Sequence, residues 1–172
     1  MSARPRVELV ISGGQTGVDQ AALRAALRLG IRIGGWCPPG RLCETGPIPA
    51  CFPLVETPAE RSLGATDVPR SLRTEWNVRD SDATLVVTVP GSPAYGPGTA
   101  WTVACAGRLA KPLLSLDLTA PAPVDAVRAW LSEHAVKVLN VAGPAESRVP
   151  GIGERAEDLL LRALDRGARL SG

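Results

Sequence analysis

The sequence predicts an α/β protein in which helices cover both faces of a mostly parallel sheet. Short apolar runs alternate with helical patterns along the chain, as in parallel α/β folds. Loops rich in glycine or proline follow three of the apolar runs. The 172 residues, of which 45% are apolar, suffice for one core. Since no repeat or linker divides the chain, residues 1–172 are interpreted as a single domain.

The first elements are a strand and a helix separated by a tight loop. The apolar run Val7–Ile11 is typical of a buried parallel strand. A helix is predicted from Val18 to Leu29, because alanine and leucine recur on one face and Gly30 suits the position after a helix. A second short strand is predicted at Ile31–Ile33.

A long loop follows from Gly34 to Ala59. It is dense in glycine and proline, and a loop of this length in a compact domain is usually functional or disordered. Its apolar side chains favour a packed, functional loop: Trp36, Ile48, Phe52, Leu54 and Val55.

The remaining elements continue the alternation. A helix is predicted over Val68–Arg79, with Asp67 as its N-cap and Pro69 in its first turn. The clearest strand is Ala83–Val89. The later elements are loop Pro90–Gly98, helix Thr99–Leu109, strand Leu113–Leu116, helix Val124–Glu133, strand Val136–Val141, loop Ala142–Gly151 and helix Ile152–Arg166.

Three unusual loops are predicted to meet at one edge of the sheet. They follow the strands that end near Ile11, Val89 and Val141. Ligands of open parallel sheets bind beyond the carboxyl ends of the strands. The sequence therefore predicts one shared ligand site.

The first loop is expected to bind an anion. Its glycines permit positive φ and close approach of the backbone, and the helix that follows favours negative charge. It lacks the spacing of a dinucleotide fingerprint and the lysine of a P-loop. Asp19 either contacts a ligand hydroxyl or satisfies the helix N-terminus. The candidate ligand-binding residues of this region are Gly13, Gly14, Gln15, Thr16, Gly17 and Asp19.

Further candidates lie in the other loops and on one helix. Gly98 and Thr99 stand where a second helix begins, although Pro97 removes one N–H donor. Arg73 and Asn77 share a helix face with Trp76, which is either a core residue or a ring-stacking group. Arg41 and Glu44 are the polar groups of the long loop expected to contact a ligand. In the last loop, position alone places Asn140, Gly143, Pro144 and Glu146 at the edge of the site.

Several function classes are disfavoured. A net charge of +2 gives no electrostatic case for nucleic-acid binding. No apolar run approaches the ~20 residues that cross a bilayer, and no signal peptide is evident, so we expect a cytoplasmic protein without membrane partners. His134 alone cannot supply a Ser/His/Asp triad, and no catalytic or metal-binding residue is assigned. The four cysteines lack metal-site spacing and are interpreted as free thiols. The alternative is a cluster of thiols at the mouth of the ligand site, since Cys37, Cys43 and Cys51 share one loop-rich segment.

Six motifs together resemble a known family. They are SGGQTGVD at Ser12–Asp19, GGWCPPGR at Gly34–Arg41, GPIPA at Gly46–Ala50, RTEWNVRDSDATL at Arg73–Leu85, GPGTA at Gly96–Ala100 and LNVAGPAES at Leu139–Ser147. This set is similar to the molybdenum carrier proteins, a circularly permuted branch of the SLOG superfamily. The resemblance implies a Rossmann-like three-layer α/β/α fold. It also implies binding of the molybdenum cofactor for storage or transfer, homodimers or homotetramers, and molybdoenzymes as candidate partners.

A wider resemblance connects the chain to phosphoribohydrolases, whose signature resembles PGGxGTxxE. The corresponding stretch is Tyr95–Thr102, in which Thr102 stands where the catalytic glutamate would be. Because a threonine is not an acid or base at neutral pH, this difference favours binding without hydrolysis. A nucleotide N-glycosidic hydrolase, with Asp19 supplying the missing group, and a sensor of a nucleotide-derived signal are the alternatives.

Overall fold

The computed structural model describes residues 6–90 and 96–167. Within these residues the sheet has five strands, all parallel, in the order β2-β1-β9-β7-β8. Helices α1, α4 and α5 pack on one face and α2 and α3 on the other, which confirms the predicted three-layer α/β/α architecture.

The bounds of the elements lie close to most of the predicted ones. The helices are α1 Val18–Arg28, α2 Ser71–Arg79, α3 Pro97–Arg108, α4 Pro123–Glu133 and α5 Ile152–Leu164. The strands are β1 Leu9–Ile11, β2 Arg32–Gly34, β3 Trp36–Cys37, β4 Leu42–Cys43, β5 Gly46–Pro47, β6 Val55–Glu56, β7 Ala83–Thr88, β8 Leu113–Asp117 and β9 Val138–Ala142.

The predicted start of α2 is wrong. The helix begins at Ser71 rather than Val68, and its N-cap is Arg70 in the left-handed conformation, with φ 58°. Val68 precedes a proline, and that position disfavours helical backbone. The Ser71 hydroxyl donates to the carbonyl of Ala65 and accepts from the N–H of Ser62, so it holds the preceding turn against the helix.

The long segment between β2 and α2 forms a small core of its own. Cys37, Cys43, Ile48, Phe52 and Leu54 pack with Leu23 of α1, all of them buried. The prediction that this segment is packed is confirmed for Ile48, Phe52 and Leu54, three of the five apolar residues on which it was based. It is wrong for Val55, which is 57% exposed because it lies on the outer two-residue strand β6.

The two faces of the central strands differ in polarity. Leu85, Val87, Leu139 and Val141 face the main core with α1, α4 and α5. In the register of β7 against β9, Thr84 lies opposite Asn140. Since side chains alternate along a strand, this polar pair faces the layer of α2 and α3.

Candidate functional site

A cavity of about 370 Å³ lies at the carboxyl edge of the sheet. It is lined by the loop after β1, the start of α3, the end of β9 with its following loop, and one face of α2. Two of the three predicted loops therefore meet here, and residues 96–98 are the described part of the third that reaches the cavity. Of the candidates named from the sequence, ten line the cavity: Gly13, Gln15, Asp19, Arg73, Asn77, Gly98, Thr99, Asn140, Gly143 and Pro144.

Arg73 and Asp19 form a mostly buried ion pair in the cavity wall. The Nη1 of Arg73 donates to Oδ2 of Asp19 at 2.8 Å, and their side chains are 14% and 7% exposed. The guanidinium rests on Gly13, where any Cβ would collide with Nη1. Gly13 therefore permits this side chain to cross the loop.

Two features of this pair distinguish it from a surface salt bridge. Burial raises the pKa of Asp19 above its usual value, and the attraction of Arg73 offsets only part of that effect. The Nε of Arg73 is sealed from solvent without a hydrogen-bond partner among the described residues. A buried donor without an acceptor is costly and uncommon, and it is often found at functional sites.

Asn77 lines the cavity, but both ends of its side-chain amide are hydrogen-bonded to the protein. The N–H of Trp36 donates to Oδ1 at 2.8 Å, and Nδ2 donates to the carbonyl of Trp36 at 2.9 Å. Trp76 packs edge-to-face on Trp36, with ring centroids 4.7 Å apart, and the described cavity lining contains neither indole. Asn77 and Trp76 thus fix the beginning of the long segment beside the site.

The N–H groups around the start of α1 are largely used by the protein itself. Gln15 N–H donates to Asp19 Oδ2 at 3.2 Å, Thr16 N–H to the Gln15 side chain at 3.0 Å, and Val18 N–H to a backbone carbonyl at 3.2 Å. Gly14 and Gly17 lie outside the cavity lining. A side chain at Gly14 would meet the small core of the long segment, and one at Gly17 would meet the loop after β9. Close packing therefore explains why glycine is needed at these two positions, without any contact with a ligand.

Glu44 joins three loops. Its carboxylate accepts from the Thr16 hydroxyl and from the hydroxyl and N–H of Ser147, and its own N–H donates to Gln15 Oε1 at 2.9 Å. These hydrogen bonds to the ionised form lower the pKa of Glu44. Glu44 therefore braces the site from outside the cavity.

Arg41 also lies outside the cavity lining. Its guanidinium donates to the backbone carbonyls of Leu54, at 2.6 Å, and Phe52, at 2.9 Å. It closes the long segment on itself. A ligand role for Gly14, Thr16, Gly17, Arg41 and Glu44 stays a prediction, and the contacts of these residues in the structure are with the protein.

The start of α3 differs from the starts of α1 and α5. Glu146 accepts from the N–H groups of Gly151 and Gly153 at the beginning of α5. In α3, the first helical bond is from Ala100 N–H to the Gly96 carbonyl at 3.0 Å, and no described residue accepts from the N–H of Gly98 or Thr99. Among the described residues, the start of α3 therefore has N–H groups in the cavity wall without an acceptor. Residues 91–95, including Ser92 and Tyr95 of the predicted second loop, lie outside the described residues.

Sequence reasoning missed two arginines that line the cavity. Arg70 precedes α2, and the Arg148 guanidinium lies beside Gly96, where a Cβ would be 2.8 Å from its Nη1. Arg148 lies directly after the last motif, in the loop that follows β9. The prediction that the strand ends converge therefore indicated this loop, although it did not single out Arg148. Thr74, Thr102 and Asn140 are further polar residues of the lining.

The cavity offers donors for an anion rather than ligands for a metal. Among the described lining residues, the charged groups are three arginines and one carboxylate: Arg70, Arg73, Arg148 and Asp19. The described part of the chain contains no cluster of three or more His, Cys, Asp or Glu side chains that could hold a metal ion. The four cysteines are free, and none belongs to the described lining.

Comparison with known proteins identifies the family. The family model for the circularly permutated YpsA SLOG family matches residues 10–164. The chain belongs to this family. A crystal structure described as a "Putative molybdenum carrier protein" from Syntrophus aciditrophicus SB is 39% identical. The match covers 94% of this chain and 97% of that one, with a TM-score of 0.82. No curated protein matches the chain.

The same comparisons bear on the predicted fold. The matched range runs from Val10 in β1 to the end of α5, so the SLOG assignment covers every described residue of the cavity lining. The Rossmann-like fold predicted from the six motifs is confirmed by this family and by the structural neighbour. Among the described residues, no helix has the length and apolar character needed to cross a membrane.

Proposed function

We propose that this protein binds and carries a small phosphorylated ligand, the molybdenum cofactor or a related phosphorylated pterin or nucleotide. One observation carries the proposal, namely the excess of positive charge in a cavity built at the carboxyl edge of the sheet. The family and the name of the structural neighbour agree with a molybdenum-carrier-like role. The arrangement of donors gives the physical reason.

The charge balance of the lining suits a doubly charged anion. Asp19 neutralises Arg73, whereas no described carboxylate lies within 4.0 Å of the Arg70 or Arg148 guanidinium. The formal charge of the described lining is therefore three positive against one negative, a net of +2. A phosphate monoester carries about −1.5 to −2 at neutral pH, which complements this charge.

The start of α3 supplies the uncharged donors for such a group. The first N–H groups of a helix have no partner within the helix, and the helix dipole favours an anion beside them. No described atom lies within 4 Å of the place that a Cβ of Gly98 would occupy, so there is open space beside this turn of the helix. Phosphate binding at this helix start, with Arg148 alongside, is the arrangement we infer.

The residues in the cavity favour holding the ligand intact. Thr102 occupies the position of the hydrolase glutamate, and its hydroxyl donates to the Gly98 carbonyl at 3.0 Å. Asp19, the other candidate acid, is bound to Arg73. Incubation with nucleoside monophosphates tests this point, because release of free base at an enzymatic rate would replace the carrier proposal with the hydrolase alternative.

The molybdenum cofactor fits this set of residues as a cargo. Its phosphate suits the arginines of the lining. The described lining contains no cysteine, so any metal would be held by the dithiolene of the cofactor itself. Molybdoenzymes are the recipients we propose, within the cytoplasm. A homodimer or homotetramer is also proposed, supported by the exposed, small and apolar residues Ala100, Val103 and Ala104 on the outer face of α3.

A binding measurement with matched variants tests the proposal. Arg148→Ala should weaken binding of GMP, measured by calorimetry, by about tenfold or more, because a charge-assisted hydrogen bond is lost. Arg155→Ala is the control, since Arg155 is an exposed arginine of the following helix and lies outside the described lining. Equal affinity of the two variants would contradict the assigned phosphate position.

A further inference from the structure

Asn140 is a buried polar residue that the packing of the fold does not fully account for. It lies on the central strand β9 and is 3% exposed. Its Nδ2 donates to the Thr84 hydroxyl oxygen at 3.2 Å, across the register of β7 and β9. Burying an amide costs free energy unless its polar groups find partners, so both ends of this side chain require explanation.

The other end of the amide faces the cavity. Asn140 belongs to the cavity lining, and no described residue donates a hydrogen bond to its Oδ1. Among described side chains, the only polar atom both sealed from solvent and without a partner is Arg73 Nε. We take Oδ1 to be an acceptor open to the cavity, since it has no described donor and is not a sealed atom of this kind.

The cavity has different polarity at its exposed and buried parts. The more exposed part carries donors, from Arg70, Arg148 and the start of α3. The buried part adds acceptors, from Asn140 and from Asp19, which is 5% exposed, beside the guanidinium of Arg73. A ligand that matches this pattern has an anionic end and an uncharged end that bears hydrogen-bond donors.

We propose that Asn140 is a specificity-determining residue that accepts a hydrogen bond from a ring N–H at the uncharged end of the ligand. This inference rests on the proposed function, because it assumes that the phosphate lies at the arginines. Two buried acceptors suit a ring edge with two N–H donors. The 2-amino-4-oxo pyrimidine edge, which pterins and guanine share, belongs to this chemical class.

Three phosphate esters separate the two ends of the site. Ribose 5-phosphate carries the phosphate alone, GMP adds the edge with two N–H donors, and purine riboside 5′-monophosphate keeps the ring without any N–H donor. Calorimetry on the full chain should show that GMP binds about 3- to 10-fold more tightly than the purine ester, the range expected for one hydrogen bond.

Two variants test whether Asn140 causes the tighter binding of GMP over purine riboside 5′-monophosphate. Asn140→Leu removes the acceptor and should abolish the preference for GMP while leaving the affinity for ribose 5-phosphate within about twofold. Asn140→Asp keeps an acceptor at the same position and should retain the preference. It also keeps the inference testable if the leucine variant fails to fold, which its thermal melt would show.

The possible failures are distinguishable. Binding of ribose 5-phosphate with equal affinities for GMP and the purine ester would overturn this inference alone. Loss of the preference in Asn140→Asp would also overturn it, because the amide would then be acting as a donor. If none of the three esters binds, the proposed function fails and this inference fails with it.

Discussion

Removing Arg73 should destabilise the protein strongly at neutral pH. The Arg73→Ala variant leaves the Asp19 carboxylate, whose side chain is 7% exposed, without its counter-ion. Breaking one partner out of a buried pair costs about 3–5 kcal/mol, because an unpaired charge is left in the interior. Arg24→Ala is the matched control, since it breaks a pair with Glu157 in which the arginine is 42% exposed. That loss should stay below about 1 kcal/mol.

The loss should depend on pH, and its sign follows from the pKa of Asp19. Burial raises this pKa in the folded state, so ionisation of Asp19 removes stability as the pH rises through the raised value. The attraction of Arg73 limits that loss in the wild type. Arg73→Ala raises the pKa further. Its cost should therefore shrink at acid pH, where Asp19 is protonated in both proteins.

Urea unfolding followed by tryptophan fluorescence measures both effects. Free energies of unfolding measured from about pH 8 downward through the titration of Asp19 give the pH dependence, and the single variants Asp19→Asn and Arg73→Ala together with the double variant give the coupling. The double variant should recover much of the stability lost by Arg73→Ala. A neutral-pH loss below about 1 kcal/mol, or a loss that does not change with pH, would refute the interpretation of a buried pair.

Two further predictions concern the loops that frame the cavity. Gly17→Ala should cost about 3 kcal/mol or more, because φ is 77° and the new Cβ would collide with the Pro144 carbonyl oxygen. Gly30→Ala is the control: with φ 67° and open space around the new Cβ, it should cost only about 1 kcal/mol. Thermal melts of both variants measure the two losses, and equal losses would contradict the predicted collision at Gly17. Glu44→Ala should speed hydrogen exchange of the Ser147 N–H, which donates to Glu44 at 3.1 Å, while changing stability by less than about 1 kcal/mol. Because the pKa of Glu44 is lowered in the folded state, the difference in stability between the wild type and Glu44→Ala should vanish as the pH falls through that pKa. A difference that persists in acid would show that the ionised carboxylate is not its cause.

The architecture was predictable because it depends on local patterns. The apolar run at β7 and the amphipathic stripe of α5 indicate their elements without knowledge of any partner. The start of α2 was predicted three residues early, since Asp67 and Pro69 form a plausible helix start in isolation. The contacts of Ser71 with the preceding turn decide the boundary, and they are tertiary.

The candidate site was predictable in place and only partly in composition. Rules for strand ends and loops locate the cavity, but they do not say where a long side chain points. The sequence does not distinguish Arg41 and Glu44 from a ligand-binding arginine and glutamate, yet Arg41 binds its own loop and Glu44 binds two neighbouring loops. Arg70 and Arg148 carry no local signal, and only the folded chain brings them to the cavity.

The pairing of β1 with β9 has a consequence for folding during synthesis. These neighbours are joined by the Ser12 hydroxyl, which donates to the Val141 carbonyl 129 residues away. Contacts over such separations form only after a large loop has closed, which slows folding. Until β9 leaves the ribosome, β1 has β2 on one side and an edge of unpaired N–H and C=O groups on the other. We expect that edge to make the nascent chain prone to aggregation and a substrate for chaperones.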